Sequence, residues 1–402
     1  MQRHHLLLLV ISLCCLPMLA QAGDWAQFRG PAGTGLSAET GINKAWNAHP
    51  PRVAWKVNMS DDGYAGPAVV NGKVYIIDHS AQQDVVRAID LNSGRDLWHF
   101  AYAEAVGSNY GFARATPTVS WGKVFTISRT GTVYCLDANS GRQIWTVNMV
   151  AQFGGKRPQW DFSMSVCVDG TKAILCPGGP GAGVVAVDMN NGRLLWKGGG
   201  SEPAGYSTPQ VATLNGKRQY VVFGGKKLFG VEANSGKELW SFPWSTQYDV
   251  NVAAPLIIGN DIFITSDYGK GCAMVTVSGS SARARWQNTA MQAHVSSPIF
   301  VGGYIYGTGE PGKLMCLDPK TGATRWSKDG FQKGGVIGID GTLIAMDGGG
   351  GDVIMVSLTP GGYRELGRLR APLGGESWTA PIVANGKLLI RNKKQLACLN
   401  LK

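Results

Sequence analysis

Seven short segments of this chain hold the same position in a repeat but differ in chemistry. They are Gly63-Tyr64-Ala-Gly-Pro67, Ala113-Arg114-Ala-Thr-Pro117, Asp161-Phe162-Ser-Met-Ser165, Gly205-Tyr206-Ser-Thr-Pro209, Asn251-Val252-Ala-Ala-Pro255, His294-Val295-Ser-Ser-Pro298 and Ser377-Trp378-Thr-Ala-Pro381. Tyr64, Arg114, Asp161, Tyr206, Asn251, His294, Glu376 and Trp378 stand at or beside these positions. Aromatic faces next to a guanidinium, carboxylates and an amide suit a planar or anionic small molecule, or the grip of a peptide. The same side chains would also serve simply to fill and solvate a funnel.

Other constellations for chemistry are weaker. His49, His79, His99 and His294 are far apart and lack metal-ligand spacing, so no metal is expected at them. Gly178-Gly-Pro-Gly-Ala-Gly183 and Gly348-Gly-Gly-Gly351 fall between strand patterns rather than before a helix, which makes them turns and not phosphate loops. There is no Gly-x-Ser-x-Gly elbow for a serine hydrolase and no Cys-x-x-Cys-His for haem. Cys135, Cys316 and Cys398 share one repeat position and read as small buried hydrophobes. Cys167 and Cys176 flank the Asp169-Gly170 turn without facing each other, so no disulfide framework is expected.

The elements that would position the first set follow from a period. Tryptophans at 55, 98, 145, 196, 240, 286 and 326 recur every 40 to 51 residues, the spacing of a propeller blade. Each of five ends a cassette: Asp90 to Trp98, Asp137 to Trp145, Asp188 to Trp196, Glu232 to Trp240 and Asp318 to Trp326. An acidic residue that can bond turn amides, then a Gly free to take positive φ, make this a hairpin. A second hairpin precedes it, as in Pro67 to Ile77, Pro117 to Ile127 and Pro381 to Ile390, where Asn-Gly or a variant joins two apolar runs. Two hairpins make a four-stranded blade.

Seven such units start near 67, 117, 165, 209, 255, 298 and 336. An eighth begins at Pro381 and lacks an outer strand, whereas Arg52-Val-Ala-Trp55-Lys-Val is an outer strand without a blade. The expected fold is therefore all-β, a single eight-bladed β-propeller of four-stranded blades, closed by pairing an N-terminal strand with the C-terminal blade. The weakest units are the fifth, where Ser278 to Arg285 has lost the Asp/Gly turn, and the seventh, where Arg368 replaces the Trp. In such a ring the segments leading into the innermost strands surround one mouth of the central funnel, so the eight site residues should converge there.

The first residues are basic and polar, Leu6 to Leu16 is apolar, and Ala20-Gln21-Ala22 is a small-residue cleavage pattern. Residues 1–22 read as a secretory signal peptide and 23–402 as one domain, because that apolar run is too short for a transmembrane segment of about 20 residues. The protein is expected to be secreted, periplasmic or held in the cell envelope, as a monomer. Its charge of +11 favours an anionic small-molecule ligand or an envelope protein as partner. Nucleic acid is not expected for an exported chain.

The cassette Ala-x-Asp-x-x-Ser/Thr-Gly-x-x-x-Trp resembles the blade signature of the quinoprotein-like (PQQ-repeat) eight-bladed β-propeller family over essentially the whole mature chain. Gly23-Asp-Trp-Ala-Gln-Phe-Arg-Gly-Pro31 is similar to the start of many secreted members. The resemblance implies two functions. One is that of pyrroloquinoline quinone (PQQ) and calcium-dependent alcohol or sugar dehydrogenases, with Asp161 or Glu376 as general base and Asn251 as calcium ligand. The other is that of the non-enzymatic subgroup of outer-membrane assembly lipoproteins. The adjacent Cys-Cys that such dehydrogenases generally carry over the quinone occurs here only as Cys14-Cys15, inside the signal segment. A non-enzymatic binding or assembly scaffold is thus the leading expectation, the dehydrogenase the alternative, and a carbohydrate-binding propeller the third.

Overall fold

In the computed structural model residues 23–60 and 62–402 are described; residues 1–22, expected to be a signal peptide, lie outside them. Eight antiparallel four-stranded sheets follow one another: residues 68–103, 118–148, 167–198, 210–243, 256–288, 299–329 and 336–369 form blades 1 to 7, and residues 382–400 with Val53–Asn58 form blade 8. The two middle strands of a blade are buried along nearly their whole length because neighbouring blades cover both faces. Outermost strands such as Gln143–Asn148 instead alternate between buried and exposed. Innermost strands of successive blades pack against one another around the centre.

Val53–Asn58 runs antiparallel to Gln395–Asn400, with Trp55 opposite Cys398. The last blade thus takes its outer strand from the start of the described chain. The pairing leaves Gln395–Asn400 with no free edge.

The cassette turns out to join blades as well as strands. Every outermost strand carries a β-bulge beside its Trp position. The indole then reaches the turn of the following blade: Trp55 Nε1–H donates to Leu91 O at 2.8 Å, Trp98 to Ala138 O at 3.1 Å, and Trp145 to Met189 O at 3.0 Å. The cassette Gly lies flat on that ring. A Cβ on Gly94 would stand 2.8 Å from Trp55, and one on Gly141 2.5 Å from Trp98.

Blade 7 corrects the expectation for Arg368. The register sets Met355 opposite Gly367, so Gly367 holds the Trp position, while Arg368 pairs with Asp352 and Glu365 on the surface. Trp46, from the segment before blade 8's outer strand, packs onto Gly367 and is 1% exposed. It fills the wedge left by the missing ring. In blade 5 the turn at Ser278 to Ser281 is short, and Trp240 of blade 4 donates to Gln219 Oε1 in its own sheet at 2.6 Å.

Residues 24–37 cross one end of the central channel. Trp25 bridges Val69 of blade 1, Ala26 O accepts from Val119 of blade 2, and Leu36–Ser37 adds a parallel strand to Val336–Ile339 of blade 7. Arg29 is buried among carbonyls, its guanidinium donating to Gly33, Thr34 and Pro298. The six cysteines from Cys135 to Cys398 are buried and free. Cys135, Cys316 and Cys398 each sit opposite a Trp, the place that Ala88, Ala186 and Gly230 hold in blades 1, 3 and 4. Among the described residues no helix is long and apolar enough to cross a membrane.

Candidate functional site

The crossing segment makes the funnel blind at that end, and what remains open is a cavity of about 870 Å³. Its floor includes Trp25, Phe28 and Arg29, and its wall is made by the segments leading into the innermost strands. Of the eight residues expected there, Tyr64, Arg114, Tyr206, His294 and Trp378 line it. Asp161, Asn251 and Glu376 do not.

Trp378 stacks on Tyr64 with ring centroids 4.8 Å apart and planes 11° from parallel. Lys333 Nζ sits 4.7 Å from the Trp378 centroid and Lys393 Nζ 5.7 Å from that of Tyr64, so the stacked pair lies between two cations. Tyr64 donates its hydroxyl to Glu376 at 2.7 Å, and Lys393 pairs with the same carboxylate at 2.8 Å. Burial, followed by the bond to Glu376, pushes the Tyr64 phenol up to about 12. Glu376 is thereby tied to the rim as the anchor of Tyr64.

Asp161 adopts a left-handed φ of 63° and is held by three guanidinium groups, at 3.1 Å from Arg157, 3.5 Å from Arg129 and 3.7 Å from Arg114. Arg129, 1% exposed, also donates to Val106, Gly107 and Gly111, pinning the loop that carries Tyr110. Arg114 donates to Trp160 O, and burial pushes its guanidinium down to about 10 against the pull of Asp161. The carboxylate orders this wall instead of facing the cavity.

Asn251 is fully buried. Its amide donates to Gly224 O at 2.8 Å and Gly225 O at 3.2 Å, and its oxygen accepts from Ser266 at 2.8 Å. It is a bracket between blades 4 and 5. With Asn251 spent on the fold and Asp161 neutralised, the residues present do not fit the calcium and quinone centre that the resemblance implied.

Sequence reasoning missed much of the wall. Tyr110, Trp160, Tyr248, Tyr268 and His294 form a chain of edge-on ring contacts, with centroids 5.0, 6.4, 6.0 and 5.3 Å apart in turn. His294 was expected from its repeat position, but Tyr110, Trp160 and Tyr248 lie in connections between blades and Tyr268 in a hairpin turn, none of them in the repeat register, so only their aromatic character could have flagged them. Also missed were Asp267 and Glu310, whose carboxylates meet the His294 ring within 4.8 Å. Burial, then Lys333, lowers the His294 ring below its ordinary range, and burial, then Asp267, raises the Glu310 carboxyl.

Comparison with known proteins fits this geometry. The family model described as outer membrane protein assembly factor BamB matches residues 82–328. The outer membrane protein assembly factor BamB of Shewanella oneidensis is 24% identical over 286 residues, which is 70% of this chain and 68% of that protein. The crystal structure of BamB from Moraxella catarrhalis superposes with a TM-score of 0.62 at 15% identity, covering 87% of this chain and 99% of that one. The crystal structure of the quinohemoprotein alcohol dehydrogenase of Comamonas testosteroni superposes with a TM-score of 0.63 at 15% identity, covering 95% of this chain and 81% of that one. Likeness at such identities establishes the fold alone.

Proposed function

Because this chain belongs to the PQQ-repeat propeller family whose model is described as outer membrane protein assembly factor BamB, we propose that it is an exported, non-enzymatic scaffold of the cell envelope. It serves outer-membrane protein assembly as a monomer of residues 23–402, released from a signal peptide at 1–22, and grips a protein partner at the funnel mouth. The aromatic rim carries this reading. Tyr110, Tyr248 and Tyr268 are 60%, 49% and 39% exposed, and all three hold a left-handed backbone at φ 55°, 60° and 60°. A non-glycine residue there costs about 1–2 kcal/mol, and such strain gathers at binding sites. Exposed amphipathic rings bury large contact area at small entropic cost, which is why tyrosine and tryptophan dominate protein interfaces. Arg114 would meet an anionic group of the partner.

The test is capture of a detergent-solubilised outer-membrane β-barrel assembly complex by the purified 23–402 chain. The triple variant Tyr110→Ala, Tyr248→Ala and Tyr268→Ala should keep its fold and lose at least about tenfold in affinity, since each buried interface aromatic is worth on the order of 1–2 kcal/mol or more. Equal capture by both proteins would remove the rim from the proposal. Alcohol-dependent dye reduction by a PQQ-reconstituted sample would replace the scaffold with an enzyme.

A further inference from the structure

Several carboxylates around the funnel mouth are matched to cations. Asp161 has its three arginines, Glu376 has Lys393, Asp249 has Lys226 and Asp62 has Lys394. On the blade 5 to blade 6 side the pattern breaks. Asp267 follows the second strand of blade 5, Glu310 follows the second strand of blade 6, and His294 leads into the innermost strand of blade 6. Their ligating atoms lie within 4.8 Å of one another, and all three residues line the cavity.

Among the described residues no Lys or Arg comes within 4 Å of either carboxylate. Lys333, the cation nearest the group, is held over the Trp378 ring. Asp267 faces only His294, at 3.5 Å from Nδ1, and that nitrogen is buried without a hydrogen-bond partner. The other ring nitrogen lies 3.4 Å from the Tyr268 hydroxyl. In a protein of net charge +11, two adjacent carboxylates and an imidazole with an orphaned nitrogen are left to balance one another. That arrangement is costly unless a cation joins it.

The geometry points to a divalent metal site formed by Asp267, His294 and Glu310 in the wall of the funnel. One imidazole and two carboxylates select a borderline first-row ion such as zinc. Calcium is disfavoured, because it takes six to eight oxygens and the nitrogen ligand gives it nothing. Three protein ligands leave coordination positions open, and they open into the cavity, as in sites that hold a further ligand rather than purely structural ones. Tyr268, bonded to the second ring nitrogen, is the positioning residue that fixes the imidazole. Zinc here would give the funnel a second point of attachment for anionic groups, across from Arg114.

The experiment titrates chelator-stripped protein of residues 23–402 with Zn²⁺ alone and with Ca²⁺ alone by calorimetry, and counts bound metal after desalting. One Zn²⁺ per chain is expected, with no Ca²⁺. His294→Ala and Glu310→Gln should each lose at least about tenfold in affinity, the scale on which even outer-shell partners act, while the metal-free melting temperature stays unchanged. If His294→Ala fails to fold, Glu310→Gln and Asp267→Asn read the same quantity. No bound Zn²⁺ in the wild type, tighter Ca²⁺ than Zn²⁺, or wild-type affinity in the folded variants would each overturn the site. None of these outcomes bears on partner capture by the aromatic rim, so the two proposals fail separately.

Discussion

Asp161 shows how far a residue's type can mislead about its work. An acid beside the funnel mouth looks like a base for chemistry, and its place in the repeat is readable from the sequence. Its partners are not, because Arg129 comes from the turn between two strands of blade 2 and Arg157 from the connection after that blade, neither of them at a repeat position. The side chain is 5% exposed, and without it Arg129, itself 1% exposed, would keep a buried charge with no counterion. Breaking such a buried group by removing one member costs on the order of 3–5 kcal/mol. Asp161→Ala should therefore shift the urea midpoint strongly downward and loosen the Tyr110 loop. A variant with native stability would return Asp161 to the list of reactive candidates. The opposite lesson comes from Asp267 and Glu310, which no spacing rule singled out because they belong to different blades and meet only when the ring closes.

The cassette was legible as a hairpin because its acidic residue, Gly and Trp recur at fixed offsets. Its second role was hidden, since a repeat seen one unit at a time cannot show that Gly141 lies on Trp98 of the blade before it. Two glycines of blade 2 separate the contributions. Gly141 and Gly122 hold φ of 71° and 70°, but a Cβ on Gly141 would meet the Trp98 ring at 2.5 Å, while one on Gly122 would meet nothing within 4 Å. Gly122→Ala should cost only the backbone strain, about 1–2 kcal/mol. Gly141→Ala adds an overpacking term of about 1–3 kcal/mol. Thermal melts of the two variants test this, and equal losses would mean that the blades are not coupled through that contact. Blade 7 was misread for a related reason. Its turn is closed by Ser357 N–H to Arg364 O where blade 6 has Asp318 N–H to Ala323 O, two residues longer, so the cassette offset cannot be carried through it and the Trp position falls at Gly367, not Arg368; the ring that fills the wedge, Trp46, lies some 320 positions away in the chain.

At the scale of the whole molecule, the first described residues perform two separable tasks that sequence reading merged or missed. Val53–Asn58 completes blade 8, and residues 24–37 block one end of the channel. The closing strand could be foreseen because it repeats the outer-strand pattern, but the plug has no counterpart in any blade and so no periodic signal. The two tasks predict different failures on truncation. Deleting residues 23–37 removes the floor made by Trp25, Phe28 and Arg29 and exposes the innermost strands of blades 1 and 7, yet it leaves every blade four-stranded. Hydrogen exchange should rise in Ala68–Val70 and Val336–Ile339 while the outermost strands stay protected. Deleting residues 23–58 also strips Gln395–Asn400 of its partner and leaves a largely apolar edge open to pairing with other chains, so that protein should aggregate or lose its cooperative transition. Identical exchange patterns in the two truncated proteins would show that plug and closing strand are one unit, and that the funnel depends on the ring's closure more than on its floor.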